Sequence, residues 1–152
     1  IANGEPAIRE ILYKRLKENS FDLTTIICPG CSISDNVSIG EGCILYDCGI
    51  STDVIIGNNV LINSKTIIGH DVRIYDNTVI GAACFIGGNS KISKNTYVSP
   101  GALIKDRISI DSDSIIGLGA VVLRNVKECS IVLGNPAKEI GKNISKRVFN
   151  MF

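Results

Sequence analysis

An aliphatic residue recurs at every sixth position over most of this chain, and this spacing limits the fold more than any other feature. The longest uninterrupted run consists of Ile56, Ile62, Ile68, Ile74, Ile80, Ile86, Ile92, Val98, Ile104, Ile110, Ile116 and Val122. An earlier run comprises Ile27, Ile33, Ile39 and Leu45. One residue is lost from the repeat near Ile50 and Ser51. Helices repeat apolar residues every three to four positions and half-buried strands every two, so a period of six indicates short strands joined by tight corners.

A second column lies four positions after the first and holds mostly small residues. In the long run its members are Val60, Thr66, Val72, Thr78, Cys84, Ser90, Thr96, Ala102, Ile108, Ser114, Ala120 and Val126. In the earlier run they are Cys31, Val37, Cys43 and Gly49. We expect three hexads to make one triangular coil, in which the aliphatic residue points inward and the small residue fills the corner. Each side of the prism is then a parallel sheet.

In several hexads a glycine follows the inward aliphatic residue. These pairs are Ile39-Gly40, Ile56-Gly57, Ile68-Gly69, Ile80-Gly81, Ile86-Gly87 and Ile116-Gly117. The pattern of aliphatic, Gly or Asp, any two, small, any resembles the repeat of hexapeptide-repeat acyltransferases. This resemblance implies an all-β fold, a left-handed parallel β-helix. The hand comes from the resemblance alone, because crossovers between parallel strands are right-handed in nearly all other proteins.

The hexads and the segments outside them divide the chain into three parts. Residues 1–25 are expected to be the remnant of an N-terminal nucleotide-sugar-binding domain, a strand end followed by a short amphipathic helix. One face of that helix carries Ile8, Ile11, Leu12 and Leu16. Residues 26–128 are expected to form the β-helix acyltransferase domain. Residues 129–152 are expected to form a coenzyme-covering loop and a capping helix, from Ile144 to Phe152, over the open end.

His70 is the only histidine, and it lies at a corner of a hexad rather than at an inward position. Corner residues face outward. Histidine side chains titrate close to neutral pH, so an imidazole here can take a proton from a sugar amine or hydroxyl that attacks a thioester. The neighbouring Asp71 is placed to orient the ring. A solvent-exposed histidine without a function is the alternative.

Residues eighteen apart are expected to stack, because three hexads complete one coil. Above His70 this column holds Gly88, Asp106 and Arg124, at about 4.8 Å per rung. A free amide at Gly88, beside Gly87, would stabilise the oxyanion of an attacked thioester. Arg124, about 14 Å from His70, would pair with the phosphates at the end of a pantetheine arm. The alternatives are a simple tight corner and a solvated arginine.

Five motifs resemble one subgroup of the family, the bacterial sialic-acid O-acetyltransferases and nucleotide-linked 4-amino-sugar N-acetyltransferases. They are Asn63, His70-Asp71, Gly87-Gly88, Gly119-Ala120 and the Gly-Asn-Pro-Ala-Lys segment from Gly134 to Lys138. The resemblance implies that His70 is the general base and Asp71 its carboxylate partner. It also implies that Asn63 is a polar group on the side of the site where the substrate binds, and that the Gly88 amide lies near the thioester carbonyl. The residues expected to bind the coenzyme are Gly87, Gly88, Gly119, Ala120, Arg124, Pro136 and Lys138.

The resemblance further implies acetyl-CoA as co-substrate and the amino group of a nucleotide-linked 4-amino-4,6-dideoxy sugar as acceptor. O-acetylation of sialic acid or of a polysaccharide sugar is the alternative. The family implies a homotrimer with its active site between subunits. Many relatives carry a second histidine nine residues after the first, where this chain has Val79. This chain therefore has no second histidine at that position to help place the coenzyme.

Composition and charge argue against several other functions. The 16 basic and 15 acidic residues do not cluster, which argues against a nucleic-acid partner. No apolar run approaches the roughly 20 residues that span a bilayer, so we predict a cytoplasmic protein without a membrane partner.

Cys28 and Cys31 have the spacing of zinc ligands but lack a second pair, so we expect no metal and reduced thiols. A non-catalytic β-helix, either a scaffold or a γ-carbonic-anhydrase-like metal carrier, is the remaining alternative, although one histidine cannot supply the latter's three ligands.

Overall fold

The computed structural model describes residues 1–149, which contain one helix and nineteen strands. Helix α1 spans Pro6–Glu18, and this helix is too short and too polar to cross a membrane. The strands are β1 (Ile26–Ile27), β2 (Ser32–Ile33), β3 (Ser38–Ile39), β4 (Ile44–Leu45), β5 (Gly49–Ile50), β6 (Ile55–Ile56), β7 (Leu61–Ile62), β8 (Ile67–Ile68), β9 (Arg73–Ile74), β10 (Val79–Ile80), β11 (Phe85–Ile86), β12 (Lys91–Ile92), β13 (Tyr97–Val98), β14 (Leu103–Ile104), β15 (Ser109–Ile110), β16 (Ile115–Ile116), β17 (Val121–Val122), β18 (Ser130–Leu133) and β19 (Lys138–Lys142).

The two-residue strands β1 to β17 enter three sheets in turn. Sheet A contains β1, β4, β7, β10, β13, β16, β18 and β19, sheet B contains β2, β5, β8, β11, β14 and β17, and sheet C contains β3, β6, β9, β12 and β15. Strands one coil apart pair in parallel, so that Ile68 lies beside Ile86 and Ile86 beside Ile104. The predicted parallel β-helix of hexapeptide repeats is confirmed, and from β5 to β17 residues eighteen apart are vertical neighbours.

The aliphatic column fills the interior of the prism. Its members from Leu45 to Val122 are at most 2% exposed. At many corners the residue before the small one has a positive φ, as in Asp71 (58°) and Asn89 (60°). Asn, Asp and Gly tolerate this left-handed conformation best, which explains their abundance between the inward residues.

The irregularity in the repeat lies between β4 and β5. Leu45 and Ile50 both point inward but are five residues apart, so this one repeat has five residues instead of six. The missing residue belongs to the turn before Gly49, slightly ahead of the predicted position near Ile50 and Ser51. Cys48, 3% exposed, fills the small corner there. The assignment of Gly49 to the small column is therefore wrong, because Gly49 is the outward residue of β5.

Helix α1 forms as predicted, but a buried arginine anchors it. Arg9 is 0% exposed, and its Nε and Nη2 donate to the backbone and side-chain oxygens of Asn59, each at 2.9 Å. Asn59 begins a ladder of amides between sheets C and A, donating to Asn77 (2.8 Å), which donates to Asn95 (3.1 Å). Ile11, on the predicted apolar face, is 54% exposed. Hydrogen bonding to this ladder therefore decides which side of α1 is buried.

The outer face of sheet A is covered by the parts of the chain that flank the β-helix. Leu61 and Val79 point outward from this sheet, yet they are 8% and 1% exposed. The Phe149 ring packs edge-on against Tyr97 with ring centroids 5.5 Å apart, and the Phe149 amide donates to Glu5 at 2.8 Å. Val79, at the position of the relatives' second histidine, is therefore buried away from the His70 corner.

The segment after the hexads is a hairpin of β18 and β19 that extends sheet A. No helix occurs in residues 129–149, so the predicted capping helix is wrong for residues 144–149, and residues 150–152 lie outside the described part. Side-chain bonds hold this tail in turns: Asn143 donates to the Asp113 carbonyl (2.9 Å) and accepts from the Arg147 amide (3.1 Å). Lys146 pairs with the Asp113 carboxylate at 2.9 Å.

Candidate active site

His70 lies at the corner after β8, where the chain passes from sheet B to sheet C. Its carbonyl accepts from the Asn89 amide of the next coil at 2.8 Å. The amide of Asp71 donates to the Thr52 carbonyl of the preceding coil at 3.1 Å. The corner is thus held from both neighbouring coils. The His70 side chain is 58% exposed, as expected for an outward corner residue.

The imidazole of His70 is oriented by the next residue. Nδ1 lies 2.8 Å from Oδ2 of Asp71. An ionised carboxylate can only accept a hydrogen bond, so Nδ1 carries a proton, and in the neutral ring Nε2 then has the free lone pair. This is the tautomer that a general base needs. The two side chains lie together, while their catalytic role stays a prediction.

Gly88 leaves the space that the His70 ring occupies. A Cβ atom on Gly88 would lie 2.7 Å from Nε2 and 2.9 Å from Cε1 of that ring. The expectation of a free amide at Gly88 is wrong, because this amide donates to Oδ1 of Asp106 at 2.9 Å. Sequence reasoning placed Asp106 in the column but missed this contact, because the spacing gives a position and not the direction of a side chain.

Gly87 makes room for the Asp106 carboxylate, since a Cβ atom on Gly87 would collide with Oδ1. The same arrangement occurs between sheets C and A, where Asp76 accepts from the Asn58 amide at 2.7 Å over Gly57. A glycine followed one coil later by an acidic side chain is therefore a repeated structural device. It explains Gly87 without a ligand, and a contact between Gly87 and the coenzyme stays a prediction.

The segment from Gly134 to Lys138 closes the open end of sheet B. Val121 of β17 donates to the Gly134 carbonyl at 2.9 Å and accepts from the Ala137 amide at 2.8 Å. The segment thus takes the place of a further strand at this end of the prism. That this segment covers the coenzyme stays a prediction.

Arg124, Pro136 and Lys138, three of the residues expected to bind the coenzyme, line one cavity of about 230 Å³. Arg124 and Lys138 also line a cavity of about 390 Å³, together with Lys127 and with Glu139, whose carboxylate is paired with Lys142 at 2.8 Å. Within residues 1–149 none of the three cations that line this cavity forms an ion pair. A guanidinium with two ammonium groups suits the phosphates of a coenzyme.

Asn63, Gly119 and Ala120 lie at the opposite edge of sheet B, where the chain arrives from sheet A. The Asn63 side chain donates to the Ile80 carbonyl at 3.2 Å, and β8 separates it from His70. Gly119 is exposed, with a φ of 62°. Ala120 is 0% exposed, so the prediction that it contacts the coenzyme is wrong: this residue fills a corner of the core. Within one chain, the two groups of predicted residues do not meet.

Comparison with known proteins identifies the type of enzyme. No model of a protein family matches the sequence, and no curated protein matches it. Perosamine N-acetyltransferase from Caulobacter crescentus, solved with CoA and GDP-perosamine, is 27% identical with a TM-score of 0.90, over 93% of this chain and 68% of that one. The chain has the fold of this enzyme, and an acyltransferase activity is supported.

Two further solved structures share the fold of this acyltransferase. The acetyltransferase domain of PglB from Neisseria gonorrhoeae is 23% identical, with a TM-score of 0.88, over 91% of this chain and 68% of that one. The N-acyltransferase AntD from Bacillus cereus, solved with dTDP and coenzyme A, is 20% identical, with a TM-score of 0.76, over 88% of this chain and 90% of that one. The predicted resemblance to the acetyltransferases of this fold is confirmed.

Sequence reasoning missed two cations on sheet C, on the strands that follow the His70 corner and the corner one coil later. Arg73 begins β9, three residues after His70, and Lys91 is its partner in parallel register on β12. Both side chains are exposed, and neither forms an ion pair in the described part of the chain. Like charges opposite each other destabilise a sheet, so this pair suits an anion that contacts both. The spacing of eighteen residues between the two outward cations was the signal in the sequence.

The cysteines are structural thiols of the β-helix. Cys43 and Cys84 fill corners and are at most 2% exposed, and burial raises the pKa of both thiols. Burial also raises the pKa of Cys48 to about 12, with Sγ 3.9 Å from that of Cys31. Protonated thiols are poor nucleophiles and poor metal ligands. Cys31 thus contacts Cys48, and the absence of a zinc site at Cys28 and Cys31 stays a prediction.

One cluster of possible metal ligands occurs among the described residues. Asp113, Glu128 and Cys129 have ligand atoms within 4.8 Å of one another. The ammonium group of Lys146 lies 2.9 Å from the Asp113 carboxylate. The positive charge next to the Asp113 carboxylate is thus the ammonium group of Lys146. The cluster lies in a different coil of the β-helix from His70.

Proposed function

We propose that this chain transfers the acetyl group of acetyl-CoA to the amino group of a nucleotide-linked sugar of the 4-amino-4,6-dideoxy type. The similarity to perosamine N-acetyltransferase, solved with CoA and GDP-perosamine, carries this proposal, since it covers 93% of the chain with a TM-score of 0.90. The exposed His70, with Nδ1 bonded to Asp71, supplies the base.

The proposed reaction is a direct transfer without an acyl-enzyme. The sugar nitrogen attacks the thioester carbonyl carbon and forms the new C–N bond, while Nε2 of His70 takes the proton from nitrogen. The tetrahedral intermediate then breaks its C–S bond, and the imidazolium returns the proton to the departing sulfur. Asp71 stabilises the imidazolium through Nδ1, as the carboxylate does in a serine-hydrolase triad.

The coenzyme is proposed to extend from His70 toward the closed end of sheet B. The pairings of β8, β11, β14 and β17 place Arg124 three rungs from His70, which is about 14 Å. The cavity of about 390 Å³ there carries three cations for the coenzyme phosphates. The pantetheine arm spans the interval between them and the base.

The diphosphate of the nucleotide-sugar is proposed to bind Arg73 and Lys91. These cations lie on the sheet C side of the His70 corner, away from the proposed coenzyme phosphates. A bridging diphosphate would relieve their mutual repulsion and place the attached sugar next to the base. This arrangement favours a nucleotide-linked acceptor over a free amino sugar.

Replacement of Arg73 or Lys91 by alanine is expected to raise KM for the nucleotide-sugar about tenfold, because each loses one charge-assisted contact. KM for acetyl-CoA should not change. Initial-rate kinetics with both substrates varied provide the measurement, and Lys14→Ala on α1 controls for the loss of one charge. Equal KM values for the nucleotide-sugar in wild type and both variants would rule out this site.

The site is proposed to be completed by a second copy of the chain in a homotrimer. The outer face of sheet B is apolar and open, with Ile67, Phe85 and Leu103 between 43% and 53% exposed. In a threefold-symmetric ring each interface joins two different surfaces of the subunit. With sheet B facing the symmetry axis, the edge of one copy that bears Asn63 would therefore meet the edge of the next copy that bears His70. The opposite positions of the two residue groups support this arrangement.

Phe85→Glu is expected to convert the trimer into inactive monomers, because it buries a charge at the proposed interface. Light scattering coupled to size-exclusion chromatography measures the mass. Ile11→Glu is the matched control, since Ile11 is 54% exposed on α1, away from sheet B and from the His70 corner. A trimeric Phe85→Glu variant, or an active wild-type monomer, would contradict the proposed interface.

The proposed function is tested by incubating the protein and acetyl-CoA with one of two acceptors. The amine acceptor is a nucleotide-linked 4-amino sugar, and the hydroxyl acceptor is sialic acid. Mass spectrometry measures the masses of the products. Acetylation of the amine acceptor alone is expected. Acetylation of sialic acid alone would support the O-acetyltransferase, and no acetylation by a trimeric protein would support a scaffold. A role in polysaccharide biosynthesis and a cytoplasmic location stay predictions.

A further inference from the structure

We propose that Asp106 is a displaceable acceptor that occupies the Gly88 amide until the thioester carbonyl of acetyl-CoA replaces it. This inference rests on the proposed function and assigns Asp106 a positioning role that affects coenzyme affinity. The contact that carries it is the 2.9 Å bond from the Gly88 amide to Oδ1 of Asp106.

The backbone of Gly88 lies directly beside the base. A Cβ atom built on Gly88 falls 2.7 Å from Nε2 of His70, so the backbone of Gly88 borders the atom that takes the proton. A carbonyl that accepts from this amide would therefore lie where a nucleophile held by His70 attacks. Donors aimed at a developing oxyanion are among the strongest contributions to acyl transfer.

The amide requires an acceptor at all times because Gly88 is buried. A buried amide without a partner costs about 1–3 kcal/mol. In the absence of a thioester, the Asp106 carboxylate provides this acceptor, and Gly87 lacks the Cβ atom that would exclude it.

The Asp106 side chain is able to leave. It is exposed, and within residues 1–149 its carboxylate forms no other hydrogen bond and no ion pair. Rotation into solvent would keep the charge hydrated, so only the one bond is lost. The carbonyl of acetyl-CoA would take over the amide in the same step.

The Asp76 carboxylate on the Asn58 amide, at 2.7 Å, provides an internal comparison. That pair has the same geometry between sheets C and A, away from the histidine. If both carboxylates only satisfied a backbone amide, removal of either Asp76 or Asp106 would leave the affinity for the coenzyme unchanged. A displaceable acceptor would affect the coenzyme at Asp106 alone.

The test measures the affinity of the full-length protein for acetyl-CoA and for free CoA by isothermal titration calorimetry. Asp106→Ala is expected to bind acetyl-CoA about two- to tenfold more tightly than wild type, as removal of one competing hydrogen bond predicts. Affinity for CoA, which lacks the thioester carbonyl, should not change. Asp76→Ala should change neither affinity.

Asp106→Asn keeps an uncharged acceptor, so it should tighten acetyl-CoA binding in the same direction but less, and it serves if the alanine variant does not fold. Unchanged acetyl-CoA affinity, or equal changes for acetyl-CoA and CoA, would overturn the role of Asp106. Failure of the wild type to bind either coenzyme would refute the proposed function itself, which separates the two results.

Discussion

Replacement of His70 by alanine is expected to lower kcat by about a hundred- to ten-thousand-fold, the usual contribution of a positioned general base. His70 provides the one imidazole of the chain, so no other histidine can substitute for it. The thermal midpoint should change little, because the side chain is 58% exposed and, among residues 1–149, bonds only to Asp71. Initial rates at saturating concentrations of both substrates provide the measurement.

The matched control for this variant is Lys94→Ala, which removes an exposed side chain from the equivalent position of another hexad, between sheets C and A. That variant should retain wild-type kcat. If His70→Ala also retained wild-type kcat, the base would be another group, and the mechanism would have to be abandoned.

Gly88→Ala is expected to lower kcat about a hundredfold, since a displacement of roughly 1 Å in a catalytic group has effects of this size. The added Cβ atom would lie 2.7 Å from Nε2 of His70, closer than any normal contact. The ring must then rotate, which breaks its bond to Asp71. The variant keeps the backbone amide of residue 88, so its loss of activity reports the position of the ring.

Gly141→Ala is the control for this second variant, because a Cβ atom there meets nothing within 4 Å and the residue has no positive φ. It should retain activity and stability. A crystal structure of Gly88→Ala should show the imidazole displaced from Asp71. Wild-type kcat in Gly88→Ala would mean that the ring position in the structure is not the catalytic one.

Spacing alone predicted most of the fold. In a prism of three hexads per coil, the period determines which residues are vertical neighbours, so the column of His70, Gly88, Asp106 and Arg124 follows from counting. The outward position of His70 follows for the same reason, whereas its pairing with Asp71 was expected from their adjacency and from the family resemblance.

Side-chain direction and contacts between distant segments could not be predicted in this way. The burial of Arg9 depends on Asn59, fifty residues away, which no periodicity contains. The Gly88 amide looked free because the rotamer of Asp106 is not encoded in the spacing. Ala120 was assigned to the coenzyme by motif, whereas its place in the small column already indicated burial.

The end of the chain was the other failure. The apolar and basic residues after Ile144 suggested a helix, but Asn143 and Lys146 bond to Asp113 and hold the described tail in turns. Local pattern cannot foresee such long-range bonds. The edge of the prism is closed instead by the hairpin of β18 and β19.

The most direct test of the central claim is a structure of the full-length protein with CoA and a nucleotide-linked amino sugar, in which the distance from Nε2 of His70 to the sugar nitrogen is measured. The proposed mechanism predicts about 2.6–3.2 Å, with the nitrogen facing the coenzyme sulfur. A sugar nitrogen bound away from His70, with the imidazole in contact with solvent alone, would contradict it.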